Sequence, residues 1–119
     1  MKKWTKKERI QFSSLRDLKH LSSARIEDGA LWIVLRSKTN EGKQSSSQYN
    51  VFYELYPAEK MAKKYKQKNI DCSGCGQALW SFMFKPTTAK RDIAKIKKLH
   101  AEHSKHIVKT EKYIKQGGF

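Results

Sequence analysis

The sequence lacks the features that would place it in or across a membrane. No apolar run approaches the ~18 residues that a membrane-spanning helix needs. The basic opening MKKWTKKERIQF is not followed by an apolar stretch, so we expect no secretory signal peptide. The absence of a long apolar run and of a signal peptide predicts a cytoplasmic, intracellular protein that makes no contact with a membrane. The sequence also has no Ser-His-Asp arrangement and no glycine-rich loop of the kind that cradles phosphates.

Acidic residues are also scarce. The chain has 11 Asp and Glu against 26 Lys and Arg, which gives a formal net charge of +15. The excess positive charges repel one another and destabilise the compact state. A polyanion such as DNA or RNA would offset this repulsion, so the excess suggests a polyanionic partner. Arg is rare relative to Lys, which favours contact with phosphates over bidentate recognition of guanine. The alternative interpretation is a lysine-rich surface that serves only solubility.

Cysteine occurs only twice, as Cys72 and Cys75 in the segment CSGCG. Two residues between two thiolates allow both sulfurs to bind one zinc from a tight turn, and the glycines let that turn bend. The segment resembles the zinc knuckle of zinc ribbons and of two-Cys, two-His zinc fingers. Two alternatives remain open: a redox pair, which usually sits at a helix N-terminus, and two small buried residues in a turn.

A closed zinc site needs two further ligands, and three of the four histidines lie close together. His100, His103 and His106 are three residues apart on a predicted helix, and His103 falls within its apolar stripe. The strand after the cysteines carries the chain away from them, and the helix then returns with a smaller rise per residue. A helix of this kind comes level with the cysteines near His106, whereas a bent or shorter strand would favour His100 as the second histidine. We predict one structural Zn²⁺ held by Cys72, Cys75, His103 and His106.

A length of 119 residues predicts a single domain over residues 1–119, with a flexible basic arm at 1–4 and a flexible loop at 38–48. In chain order, the patterns predict a helix from Lys6, a β-hairpin turning at Asp28-Gly29, a strand over YNVFYELY, a short helix from Pro57, a strand over ALWSFMFK, and a final helix from about Thr88 to Lys115. This order predicts an α+β fold: a small antiparallel sheet packed against helices, with a zinc knuckle joined to a long C-terminal helix.

The predicted final helix has a broad basic sector opposite its apolar stripe, interrupted only by Glu102. Like charges on one face lower helix stability when few acidic partners offset them, so the sector resembles a phosphate-contacting surface more than a merely solvated one. The predicted nucleic-acid contacts are Lys90, Arg91, Lys95, Lys98, Lys105, Lys109 and Lys112.

Together these patterns predict a small, basic, zinc-binding protein that binds nucleic acid in a regulatory or accessory role. The alternative is a protein-interaction module, an inhibitor or scaffold, that docks on an acidic partner protein through its basic surface. Its interface core would then be formed by aromatic residues: Trp32, Tyr49, Tyr53 and Trp80. A small metal-dependent nuclease is a minor alternative, because no nuclease motif is complete. A zinc deaminase fits poorly, since its H-x-E precedes its cysteine pair and here the order is reversed. We predict no catalytic residues.

Overall fold

The computed structural model describes residues 14–27, 29–37, 46–65, 70–71, 78–85 and 89–117. A short 3-10 helix, Ser14–Asp17, precedes the first strand. The strands are β1 (Leu21–Glu27), β2 (Ala30–Arg36), β3 (Ile70–Asp71) and β4 (Leu79–Phe84), and the helices are α1 (Ser46–Leu55), α2 (Ala58–Lys64) and α3 (Ala89–Lys115). The predicted α+β class, with a small antiparallel sheet and a long C-terminal helix, is confirmed.

The sheet has the strand order β1-β2-β4-β3, and every pair of neighbours is antiparallel. The predicted hairpin is confirmed, and Gly29 in its turn has a φ of 77°, a conformation that glycine adopts without strain. Along β2, Leu31, Ile33 and Leu35 are buried in strict alternation. Their partners across β4 are Phe84, Phe82 and Trp80, which are buried as well. One face of the sheet therefore forms the core.

Helix α3 covers this core with the stripe expected from its sequence. Ile96, Leu99, His103 and Ile107 are each 0% exposed, and Thr110 is nearly so. These positions recur at intervals of three or four residues, which places them on one side of a helix. The predicted strand over ALWSFMFK and the predicted span of the final helix are both confirmed, to within one residue at the helix start.

The segment YNVFYELY is helical, and the strand predicted there is wrong. Alternation put aromatic residues on both faces of the supposed strand, and Val, Tyr and Phe favour strands. The same residues also fit a helical stripe, because Tyr49, Phe52, Tyr53 and Tyr56 follow the spacing i, i+3, i+4, i+7. Tyr49, Phe52 and Tyr53 of α1, and Tyr56 immediately after its end, pack on the core, with Phe52 and Tyr56 buried.

Other predictions fall partly or wholly outside the described residues. Outside the described residues lie the basic arm at 1–4, most of the helix predicted from Lys6, and residues 38–45 of the predicted loop. The last three residues of that loop, Ser46 to Gln48, belong to α1. The short helix predicted from Pro57 is confirmed as α2, with Pro57 at its N-cap. In the part of the chain that is described, no helix combines the length and the apolar character needed to cross a membrane.

Candidate nucleic-acid interface

A buried histidine lies where α1, α3 and the sheet meet. His103 is 0% exposed, and both of its ring nitrogens are hydrogen-bonded. Its Nε2 lies 2.9 Å from the carbonyl oxygen of Arg36, and its Nδ1 lies 2.8 Å from the hydroxyl of Tyr56. Because a carbonyl can only accept, Nε2 carries the proton and Nδ1 accepts from the Tyr56 hydroxyl. Burial lowers the pKa of His103 to about 3, so the ring is neutral at pH 7.

Aromatic and histidine rings surround His103. The Trp80 ring lies 5.0 Å from it, and Tyr56 stacks on Trp80 at a centroid distance of 4.1 Å. His20 lies 5.6 Å from His103, and its backbone N–H donates to Nε2 of His100 over 3.2 Å. His20 could not be found from the sequence, because a histidine about 80 positions away in the chain carries no local signal of such a neighbour. Burial, followed by the charge of His100, lowers the pKa of His20 to about 4.

The predicted zinc site is only partly within the described residues, because Cys72 and Cys75 lie outside them. Asp71, which precedes Cys72, pairs with Trp80 in the sheet, and the Trp80 ring contacts His103. Asp71, the described residue immediately before Cys72, thus lies at the end of the sheet where His103 contacts Trp80. Within the described ranges alone, no three His, Cys, Asp or Glu side chains are arranged to hold a metal ion.

The two predicted histidine ligands differ in their surroundings. His103 would have to give up one of its two hydrogen bonds in order to bind a metal. His106 is half-buried at the edge of α3, with its ring 5.6 Å from that of Tyr56. Burial, followed by the positive charge of nearby Lys109, lowers the pKa of His106, which favours the neutral form that a metal requires. The zinc site therefore stays a prediction.

A regular line of charge runs along the outer side of α3, which we call the basic stripe. It consists of Arg91, Lys95, Lys98, Lys105, Lys109 and Lys112, all exposed. With Glu102 in the middle, the intervals alternate between four and three residues, so the line stays on one side of the helix over about 32 Å. Lys90 is exposed beside its first member. The structure therefore brings all seven predicted nucleic-acid contacts to one side of α3.

Glu102, the acidic residue within the stripe, is paired by residues from outside α3. Its Oε1 accepts from the ammonium of Lys64, and its Oε2 accepts from the Tyr65 hydroxyl over 2.7 Å. Burial opposes ionisation of Glu102, but these two hydrogen bonds outweigh it and lower the pKa of the carboxyl. The negative charge of Glu102 is thus offset by Lys64, and the stripe remains positive along its length.

Beside the stripe, α2 and α3 enclose a pocket of about 550 Å³. We call it the lysine pocket. It is lined by Pro57, Lys60, Met61, Lys64, Glu102, Lys105, His106 and Lys109. Both helices are rich in lysine, but local sequence does not show that these lysines line one pocket, because that depends on how α2 packs against α3.

The aromatics considered for a protein interface lie mainly in or against the core. Trp80 is 0% exposed, and Tyr49 and Tyr53 pack against the core cluster. The Tyr53 hydroxyl also accepts from the backbone N–H of Leu79 over 2.9 Å, and Trp32 is half-buried. These four residues therefore do not form one exposed aromatic patch.

Comparison of the chain with known protein families, with curated protein sequences and with solved structures finds no match. The fold and the site define a small α+β protein whose long helix buries one side and carries a basic stripe on the other.

Proposed function

We propose that this protein binds nucleic acid by its backbone phosphates, in a regulatory or accessory role inside the cell. The basic stripe carries the proposal, because six exposed cations follow one line and the acidic residue among them is paired. A solvated helix face needs no such arrangement, and mixed charges would stabilise an exposed helix better. A polyanion gives the stripe a partner whose charge is also arranged in a line.

The dimensions of the stripe suit a nucleic-acid backbone. Double-stranded DNA carries one negative charge per about 1.7 Å of helix axis when both strands are counted, so a stripe of about 32 Å runs beside more phosphates than its six cations can neutralise. Five of the six cations are lysines, which contact phosphates as point charges and carry little base specificity. We therefore expect modest sequence preference and a strong dependence on salt.

The test is a titration of labelled duplex DNA, duplex RNA and single strands at several NaCl concentrations. If the six stripe cations each neutralise one phosphate of duplex DNA, log affinity should fall against log salt with a slope of about −5. Between 50 and 200 mM salt the affinity should then decrease by a factor on the order of 10³. Comparison of the duplexes and single strands identifies the preferred nucleic acid.

A matched pair of variants locates the interface. Replacing Lys95, Lys98 and Lys112 with Gln removes half of the stripe and should reduce the slope to about −3. The control replaces Lys19, Lys63 and Lys85, which are exposed on other parts of the protein, and makes the same change in net charge. Equal effects of the two triple variants would show that net charge alone drives binding. No binding of any nucleic acid at low salt, together with capture of an acidic protein, would favour the interaction module.

We also propose that one structural zinc ion is bound by Cys72, Cys75, His103 and His106, with His100 as the substitute for His106. The support is the pairing of Asp71, the residue immediately before Cys72, with Trp80, whose ring contacts His103. When bound, zinc would supply folding free energy by holding α3 to the end of the sheet. No open position for chemistry is implied, since four protein ligands complete a tetrahedral site.

Elemental analysis of protein purified without chelator tests this proposal. We expect close to one zinc per chain, and we expect Cys72→Ser to lower both the zinc content and the melting temperature. Ser73→Ala is the matched control in the same segment. A folded protein that contains no zinc would overturn the metal proposal and leave the nucleic-acid proposal standing.

A further inference from the structure

We propose that the lysine pocket binds a terminal phosphate, the phosphomonoester at the end of a nucleic acid or on a single nucleotide. This inference deepens the proposed function, because it assigns one ligand group to a pocket that adjoins the basic stripe. Binding in the pocket is separate from binding along the stripe, because internal phosphates can contact the stripe while no end of the nucleic acid occupies the pocket.

The pocket contains two pairs of lysines that face each other from different helices. Lys60 and Lys64 are one turn apart on α2, and Lys105 and Lys109 are one turn apart on α3. Like charges at i,i+4 destabilise a helix, and two such pairs across a shared pocket add to that repulsion. Glu102 already pairs with Lys64, so an anion held between the helices would relieve the repulsion between Lys105 and Lys109 and would give Lys60 a partner.

The charge of the pocket suits a phosphomonoester better than a phosphodiester. Four lysines less the one carboxylate of Glu102 leave a surplus of three positive charges. An internal phosphodiester carries one negative charge, whereas a terminal phosphate carries about −1.5 to −2 at pH 7 and has three acceptor oxygens. Lysine ammonium groups can approach these oxygens from several directions, because each is a compact point charge.

The size and lining of the pocket suit a phosphate together with its nucleoside. Its volume of about 550 Å³ lies within the usual range for small-ligand sites, roughly 300–1,000 Å³. A phosphate together with its nucleoside therefore has room to enter. Pro57 and the buried Met61 give the pocket an apolar wall against which a sugar or base can pack. Lys105 and Lys109 belong to both the stripe and the pocket, so a strand bound along the stripe can place its terminal phosphate in the pocket.

The experiment measures binding of one short single-stranded oligonucleotide with four end states: 5′-phosphate, 3′-phosphate, both ends hydroxyl, and both ends phosphate. Adenosine monophosphate and inorganic phosphate serve as competitors that lack a backbone. We expect a phosphorylated end to tighten binding roughly tenfold, as charge-assisted hydrogen bonds to a dianion would. The 5′ and 3′ forms show which end enters, and the competitors show whether the nucleoside contributes.

Lys60→Gln should abolish most of this preference, because Lys60 lines the pocket and lies outside the basic stripe. Lys63→Gln is the matched control, since Lys63 is an exposed lysine of the same short helix that does not line the pocket. Both substitutions remove one positive charge, so a difference between them cannot arise from net charge.

Each outcome decides between the two proposals. Equal affinity for all four end states, with tight binding to long duplexes, would overturn the pocket inference and retain the proposed function. A preference for phosphorylated ends that survives both Lys60→Gln and a combined Lys60→Gln/Lys105→Gln variant would also overturn the pocket as its location. Binding of phosphorylated ends and adenosine monophosphate, without binding of hydroxyl-ended duplexes, would support the pocket and overturn the proposed function. Absence of any binding would overturn both.

Discussion

The hydrogen bond between Tyr56 and His103 is expected to contribute strongly to stability, and Tyr56→Phe tests this. The substitution removes one oxygen and keeps the ring that stacks on Trp80, so it creates almost no cavity. It leaves Nδ1 of His103, at a fully buried residue, without the donor that lies 2.8 Å away. An unsatisfied buried acceptor costs about 1–3 kcal/mol.

This magnitude can be measured for a protein of this size. A loss of about 2 kcal/mol corresponds to a decrease in melting temperature of about 8 °C for a domain of ~120 residues. Urea unfolding followed by far-ultraviolet circular dichroism gives the free energy of unfolding directly. Tyr113→Phe is the matched control, because Tyr113 is on α3 and is 44% exposed. Its effect should be within about 0.5 kcal/mol.

A double-mutant cycle separates the hydrogen bond from other effects of the substitution. Because Tyr56 and His103 are direct partners, Tyr56→Phe and His103→Leu should couple by at least about 1 kcal/mol. Additive effects of the two substitutions would refute the role assigned to this hydrogen bond. So would a Tyr56→Phe variant as stable as the Tyr113→Phe control.

Three further predictions concern groups whose surroundings are equally well defined. His103 has a pKa of about 3 in the folded protein and about 6.5 when unfolded, so the unfolded chain takes up the proton first; its contribution to stability should be complete well above pH 6.5 and fall by about 2 kcal/mol between pH 7 and 5, and His103→Gln should remove that part of the pH dependence in chelator-treated protein. Glu102→Gln removes the negative charge from the lysine pocket and should tighten binding of inorganic phosphate, measured by calorimetry, whereas Glu111→Gln, outside the pocket, should not. Ser37→Ala leaves the buried N–H of Ala78 without the hydroxyl that accepts its hydrogen bond over 3.0 Å and should lower the free energy of unfolding by about 1–3 kcal/mol, while an unchanged urea midpoint would show that another acceptor replaces the hydroxyl.

Local patterns were enough to predict most of the fold. The Asp28-Gly29 pair lies between two β-prone runs, and such a pair between strand-like segments is a strong local signal for a hairpin. The stripe of α3 is long enough for its period to be unambiguous. YNVFYELY is only eight residues, and over so short a span its aromatics satisfy both the strand period and the helix period. The helix forms here because its four aromatic positions share one face against the core, a tertiary effect that intrinsic preference does not contain.

The candidate site also has features that the local sequence predicts and features that depend on tertiary packing. The basic stripe follows from helical periodicity alone, so it could be predicted residue by residue. The lysine pocket depends on the packing of α2 against α3, and the pairing of Glu102 depends on Lys64 and Tyr65, which are about 37 residues away in the chain. His20 joins His100 across 80 positions. Contacts of this range are set by the whole fold and leave no mark on the local sequence.

His103 shows why an inward-facing position does not by itself define a role. A metal ligand and a hydrogen-bonded core residue both need a buried, neutral imidazole, so facing alone could not separate them. The structure adds that both nitrogens already have partners, and these partners make the two roles distinguishable. If His103 binds zinc through Nδ1, the Tyr56 hydroxyl loses its acceptor, and Tyr56→Phe should then cost little in zinc-loaded protein. If His103 binds through Nε2, the bond from Tyr56 persists and the cost should match that of the metal-free protein, while Arg36 loses the donor to its carbonyl. If His103 binds no metal, the cost should be the same with and without zinc, and His103→Gln should leave the zinc content unchanged.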